Sequence, residues 1–205
     1  MKKLLFVFGT RPEAIKMAPV INQFKGDQTN FKTYVAVTAQ HREMLDQVLS
    51  IFKIKPDYDL NVMAQNQSLE KLTNNIILGV SEILDKVDPD IVFVQGDTTT
   101  TFASALASFY KKIRVAHIEA GLRTNNIYSP FPEEINRRMT SAISSLHFPP
   151  TKISQNNLLN EGIRSDTIKM VGNTVIDSLL EVSKNIDYEN QKKNNYFLEN
   201  YNINF

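Results

Sequence analysis

Short uninterrupted apolar runs punctuate this chain at Leu4–Phe8, Tyr34–Val37, Ile91–Val94 and Val115–Ile118, with weaker ones at Leu146–Phe148 and Ile168–Val171. Such runs lack the in-and-out alternation of a half-solvated strand, so each predicts a strand covered on both faces. Between them the apolar positions change to helical spacing. Met44, Leu45, Val48, Leu49 and Phe52 form one stripe, and Leu69, Leu72, Ile76, Ile77, Val80, Ile83, Leu84 and Val87 form another. A further stripe of Met17, Val20, Ile21 and Phe24 contains Pro19, where the helix is expected to kink or restart. Strands alternating with helices imply right-handed crossovers, a parallel sheet and helices on both faces, which is a doubly wound α/β fold.

With 205 residues the chain can bury one substantial core, placed at residues 1–184. Residues 185–205 are crowded with Asn and carry no strong apolar period, so they read as a linker or a loosely docked end. The 23 Lys+Arg against 22 Asp+Glu leave a net charge of +1, too little to attract nucleic acid or an anionic membrane. Any anionic ligand must be met by a few placed cations. The absence of Cys rules out a disulfide framework, and three scattered His offer no zinc spacing, so no structural metal is expected. The apolar start of the chain ends at Gly9 and is followed by Arg11, Glu13 and Lys16, as a first strand rather than a leader. No run reaches the length of a membrane span, and the expectation is a soluble cytoplasmic protein.

Candidate chemistry gathers where strands end. Gly9-Thr10-Arg11-Pro12 follows the first strand and opens a helix, with Thr10 as a plausible N-cap; Arg11 and Lys16 beside those backbone N–H groups could hold a phosphate, or be two surface cations on a capped helix. Asp97 follows the Ile91 run and either caps the next helix or stands in the crevice at the sheet's carboxyl edge. Glu119 follows the Val115 run where burial begins, and Arg123, four residues on, is its obvious partner. His117 alternates with it and reads as a hydrogen-bonded core histidine. Glu133 and Glu134 fall in the first turn of another helix, where acids complement the dipole and can join Arg137 and Arg138 in a surface network. Asp97, Glu119 and Glu133 nonetheless converge on one edge. Acids gathered there repel one another, which is how a site obtains an acid and a base from one side-chain type.

Taken with Phe8-Gly9-Thr10-Arg11-Pro12-Glu13-Ala14, Thr38-Ala39-Gln40-His41-Arg42, Gly96-Asp97-Thr98, His117 to Arg123, Pro132 to Arg137 and Gly172 to Asp177, the chain resembles the N-terminal domain of the non-hydrolysing UDP-N-acetylglucosamine 2-epimerases. The resemblance covers about the first 180 residues. It implies the Rossmann-like N-terminal half of a two-domain GT-B type fold, with residues 185–205 leading towards a C-terminal UDP-binding domain. It also implies reversible conversion of UDP-N-acetylglucosamine to UDP-N-acetylmannosamine by elimination and re-addition of UDP, in a homodimer, without metal or nicotinamide. The same resemblance makes Asp97, Glu119 and Glu133 the catalytic acids and Arg11 and Lys16 the cations near the leaving group. Gln40, His41, Arg42 and Gln67 match a second, activating substrate site. Glu43, Asn66 and Gln95 depart from the Gln, Arg and His that the family often carries there. A non-catalytic nucleotide-sugar-binding or interaction domain, prone to self-association, is the alternative.

Overall fold

The computed structural model describes residues 1–39, 42–62, 64 and 67–184. Its strands are β1 (Lys2–Phe8), β2 (Phe31–Val37), β3 (Tyr58–Asp59), β4 (Ile91–Gln95), β5 (Arg114–Ile118) and β6 (Leu146–Phe148). The helices between and after them are α1 (Arg11–Gly26), α2 (Arg42–Ile51), α3 (Leu69–Val87), α4 (Thr99–Tyr110), α5 (Glu133–Ile143) and α6 (Lys152–Asn160). All pairings are parallel, in the order β3-β2-β1-β4-β5-β6. The chain thus winds outward from β1 in one direction, returns, and winds outward from β4 in the other, which is the doubly wound arrangement.

The pleat divides the core. Leu4, Phe6 and Phe8 of β1 face α1 and α2 and meet Met17, Ile21, Leu45 and Leu49. Leu5 and Val7 face the other way, towards Ile76, Val80, Leu84 and Ala103 of α3 and α4. Phe6 stacks on Phe93 of β4 with ring centroids 4.6 Å apart. Each such fully buried side chain contributes about 2 kcal/mol, so the central strands carry much of the stability. Local signals set the helix ends: Ser68 Oγ accepts from Lys71 N at the start of α3, and Asp88 closes it in the left-handed conformation (φ +49°).

Three local expectations change. The two-residue edge strand β3 is too short to leave an apolar run. Residues 168–171 form no strand; Ile168 makes a single parallel bridge to His147, and Lys169 N donates to His147 O at 2.8 Å. Only Ile168 of that run is buried, beside Ala120 and Leu158, while Met170 and Val171 are exposed. Lastly, α1 does not restart at Pro19 but runs on through it as one helix. Proline removes the N–H that would bond the carbonyl four residues back, Ile15 O. That carbonyl is taken instead by the Ser178 hydroxyl, from the helical stretch 175–184 packed alongside. The proline thereby becomes the docking point for the last described helix. The linker expected at residues 185–205 lies outside the described residues. Among the described residues, no helix is long and apolar enough to cross a membrane.

Substituting Ser178→Ala should destabilise the domain by about 1 kcal/mol, because the part-buried Ile15 carbonyl loses its donor. In a Pro19→Ala background the helix supplies its own N–H, so the same substitution should cost less. Equal costs in both backgrounds, measured by urea unfolding, would show that Ser178 does not compensate for the proline.

Candidate active site

Because α1 leaves β1 towards one face and α4 leaves β4 towards the other, the loops after these adjacent strands diverge and open a crevice at the carboxyl edge of the sheet. Glu13 ties the two loops together. Only 2% exposed, it accepts from Gly9 N at 3.0 Å and Thr10 N at 2.7 Å on the β1 side. From the β4 side it accepts the hydroxyls of Thr98 at 2.7 Å and Thr101 at 3.1 Å. Burial pushes its carboxyl above the usual range, against the lowering effect of those donors. The spacing Thr10-x-x-Glu13 is a capping-box pattern, a signal that was available for this residue.

Glu119 sits one residue beyond β5 in the left-handed region, φ +62°. A non-glycine residue there costs about 1–2 kcal/mol and persists only where its surroundings hold it. Its N–H donates to Phe148 O at 3.0 Å, and the twist aims its side chain at the crevice. Lys16 Nζ lies 2.8 Å from Oε1 and 2.6 Å from Oε2. Gln95 Nε2 also donates to Oε2, and Asn173 Nδ2 donates to Oε1 at 3.2 Å. Arg123, the expected partner, is not there. It pairs with Glu161 through two contacts of 2.7 Å and reaches Ser141 Oγ at 3.1 Å. Four residues along an irregular turn carry no helical register, so the i to i+4 reasoning fails. Gly121, φ +88°, is required in that turn because an added Cβ would stand 2.2 Å from Ser154 O.

Asp97 does not cap α4; Thr98 does, accepting from Thr101 N. The Asp97 carboxylate instead receives Arg137 of α5 at 2.7 and 2.9 Å, while its carbonyl accepts from Asn136 Nδ2 at 2.9 Å. Arg137 also reaches Glu134 at 3.1 Å. Glu134 is fully buried and holds the preceding loop by accepting from Thr124 N at 3.0 Å and Asn125 N at 3.2 Å. Burial alone would raise its carboxyl, but the bonds from Thr124, Arg137, Asn125 and Arg138 reverse that and hold it below the usual range. The side chain of neighbouring Glu133, which is half-buried, makes no hydrogen bond or ion pair with the described residues. The adjacent acids thus divide: Glu134 is structural and Glu133 is left available.

Arg11 is exposed and its side chain likewise makes no hydrogen bond or ion pair with the described residues. His117 is fully buried, with Nε2 2.7 Å from Gly96 O, in the core role its alternation predicts. Of the second substrate site, Gln40 and His41 lie outside the described residues and Arg42 is described only as the first residue of α2. Gln67 accepts from Ala64 N at 3.2 Å. Among the described residues, no group of three or more His, Asp or Glu is arranged to hold a metal ion.

The sheet order and this edge define a doubly wound, Rossmann-like domain, its two strand-end acids each matched by a cation. The profile of the family described as UDP-N-acetylglucosamine 2-epimerase matches residues 24–202. The chain is 62% identical over 178 residues to the UDP-N-acetylglucosamine 2-epimerase of Neisseria meningitidis, covering 87% of this chain and 48% of that one. A crystal structure of UDP-GlcNAc 2-epimerase from Neisseria meningitidis bound to UDP-GlcNAc matches at a TM-score of 0.89 and 58% identity, over 94% of this chain and 52% of that one. The Methanocaldococcus jannaschii UDP-GlcNAc 2-epimerase in complex with UDP-GlcNAc and UDP matches at 0.82 and 40% identity, over 87% and 49%. This chain therefore belongs to the UDP-N-acetylglucosamine 2-epimerase family, and it spans about half the length of the relatives it matches.

Two stability measurements probe this framework. Glu13→Ala, which strands the Gly9 and Thr10 N–H groups, should lower the unfolding free energy by about 3 kcal/mol in urea titration. Burial is the main cause that depresses His117 to about 4, so the folded state keeps it neutral where the unfolded state, near 6.5, takes a proton. Its stability contribution is therefore intact above pH 6.5 and is lost as pH falls towards 4, by about 3 kcal/mol. His117→Asn should flatten the stability profile in that window; an unchanged slope would contradict the assignment.

Proposed function

We propose that this chain is the N-terminal half of a UDP-N-acetylglucosamine 2-epimerase, bearing the acids that convert UDP-N-acetylglucosamine to UDP-N-acetylmannosamine. The observation that carries the reading is the convergence of Lys16, Gln95 and Asn173 on the strained Glu119 carboxylate, beside Asp97, in a chain 58% identical to a protein whose crystal structure is described as bound to UDP-GlcNAc. The hydrogen on the second sugar carbon is not next to a carbonyl, so its removal needs help from departure of the diphosphate at the neighbouring carbon. Carboxylates suit both sides of that demand: one accepts the proton, and the others stabilise the oxocarbenium-like charge on the ring. Asp97, Glu119 and Glu133 take these roles. Arg11 and Lys16, at the start of α1, stand where cations and helix N–H groups together stabilise a leaving diphosphate. Re-addition of UDP at the neighbouring carbon, with a proton delivered to the opposite face of the second sugar carbon, completes the epimerisation.

The reading extends to the rest of the protein. Residues 185–205 lead to a second domain that closes the cleft and grips UDP, consistent with relatives about twice as long. The two-domain protein works as a cytoplasmic homodimer and supplies N-acetylmannosamine units to envelope polysaccharides such as teichoic acid linkage units or capsule. Gln40, His41, Arg42 and Gln67 belong to an activating substrate site. With one wall of the cleft, neither water exclusion nor retention of UDP is provided for. The 205-residue chain alone should therefore give no detectable epimer, whereas steady turnover by it would contradict the two-wall requirement. In the two-domain protein, Asp97→Asn, Glu119→Gln and Glu133→Gln should each reduce kcat by at least about 100-fold with folding intact. Retained activity in all three would refute the site.

A further inference from the structure

The Glu119 carboxylate accepts four hydrogen bonds. Lys16 Nζ and Asn173 Nδ2 donate to Oε1, at 2.8 and 3.2 Å, and Lys16 Nζ, at 2.6 Å, and Gln95 Nε2 donate to Oε2. A carboxylate offers about four lone-pair sites. Every one is taken here, so neither oxygen has room for a proton arriving from carbon. Base catalysis by Glu119 needs one donor to leave.

The three donor residues differ in what can move them. Gln95 is 2% exposed and fixed by the pairing of β4 with Ile118 of β5. Asn173 is held by its own turn, where its side-chain oxygen accepts from Val175 N at 3.1 Å. Lys16 carries a flexible four-carbon stem, its side chain is 23% exposed, and it stands in the second turn of α1 behind Arg11. It alone among the three is charged, so it alone is attracted by an anion.

We propose that Lys16 is an exchangeable counter-ion: a diphosphate at the amino end of α1 draws its ammonium off Glu119, and that departure frees a carboxylate oxygen to accept a proton. The inference rests on the proposed diphosphate-linked substrate and adds an order of events. The base becomes competent only when the leaving group is seated. The proton then moves from the second sugar carbon to Glu119, the C–H pair becomes the ring double bond, and the C–O pair departs with UDP, whose charge Lys16 already holds. Gln95 and Asn173 stay and keep the carboxylate aimed, which gives the uncharged amide at position 95 a purpose: it cannot follow the anion.

The test uses the 205-residue chain with 13C at Glu side-chain carboxyls and 15N at Lys Nζ, titrated with inorganic pyrophosphate against sodium chloride of equal ionic strength. The Lys16 15Nζ and Glu119 13Cδ resonances should shift together along one saturation curve. In Lys16→Met the Glu119 signal should start displaced and no longer respond, and Lys16→Arg should restore the response. Movement of the Gly9, Thr10 and Arg11 amides with a stationary Glu119 signal would overturn the proposal, because the anion would then bind without the exchange. A titration in which no resonance moves would overturn it too, since the attraction would be absent. Pyrophosphate carries neither uridine nor sugar, so the outcome is independent of whether the protein epimerises a nucleotide sugar.

Discussion

Glu13 is buried at the crossover of the sheet, where the loops after β1 and β4 part company, and its two oxygens are shared between them: two backbone N–H groups on one side, two threonine hydroxyls on the other. Burial works against the charged form, so the carboxylate is tolerable only while those donors remain in place. The consequence is a crevice with fixed lips. The amino ends of α1 and α4 are held together, and Lys16 on α1 and Asp97 in the loop before α4 are positioned by a residue whose hydrogen bonds go to Gly9, Thr10, Thr98 and Thr101. Binding sites on doubly wound folds sit at this crossover because the loops diverge there; here the divergence is held to a set width.

On that frame the electrostatics follow a simple pattern. Each strand-end acid meets one cation from a different element: Glu119 meets Lys16 of α1, and Asp97 meets Arg137 of α5. Arg137 also contacts Glu134, which anchors the loop leading into α5, so the amino end of that helix and the end of β4 are bound together. Glu133, one residue from the anchor at the start of α5, keeps its carboxylate uncommitted to the described residues. The strain stored in the left-handed backbone of Glu119 is opposed by the same contacts, since Lys16, Gln95 and Asn173 arrive from three separate parts of the chain.

The architecture was legible because it rests on local patterns. Continuous apolar runs marked five of the six strands, and the 3.6-residue period marked the α3 bounds at Leu69 and Val87. The acids were legible as positions at strand and helix ends. Their partners were not, because they depend on contacts between distant segments: Glu119 with Lys16 across 103 residues, Asp97 with Arg137 across 40. Arg123 was misassigned since proximity in sequence stands for proximity in space only where a helix or strand enforces it. Glu13 and Glu134 carried readable signals, a capping box and a first-turn acid, yet neither signal separates a helix cap from the residue that secures a whole edge. The compensation of Pro19 by Ser178 joins residues 159 apart and leaves no mark on either segment.

The reaction proposed for this edge is abstraction of a carbon-bound proton coupled to loss of a diphosphate, and isotope exchange reads that step directly. UDP-N-acetylglucosamine incubated in deuterated water with the protein extended to the length of its relatives should gain deuterium at the second sugar carbon. Proton NMR should show the manno epimer appearing with that position already labelled, and Glu119→Gln should abolish both signals. Epimer formed with its original hydrogen retained, or formed at a different sugar carbon, would contradict proton transfer through these carboxylates.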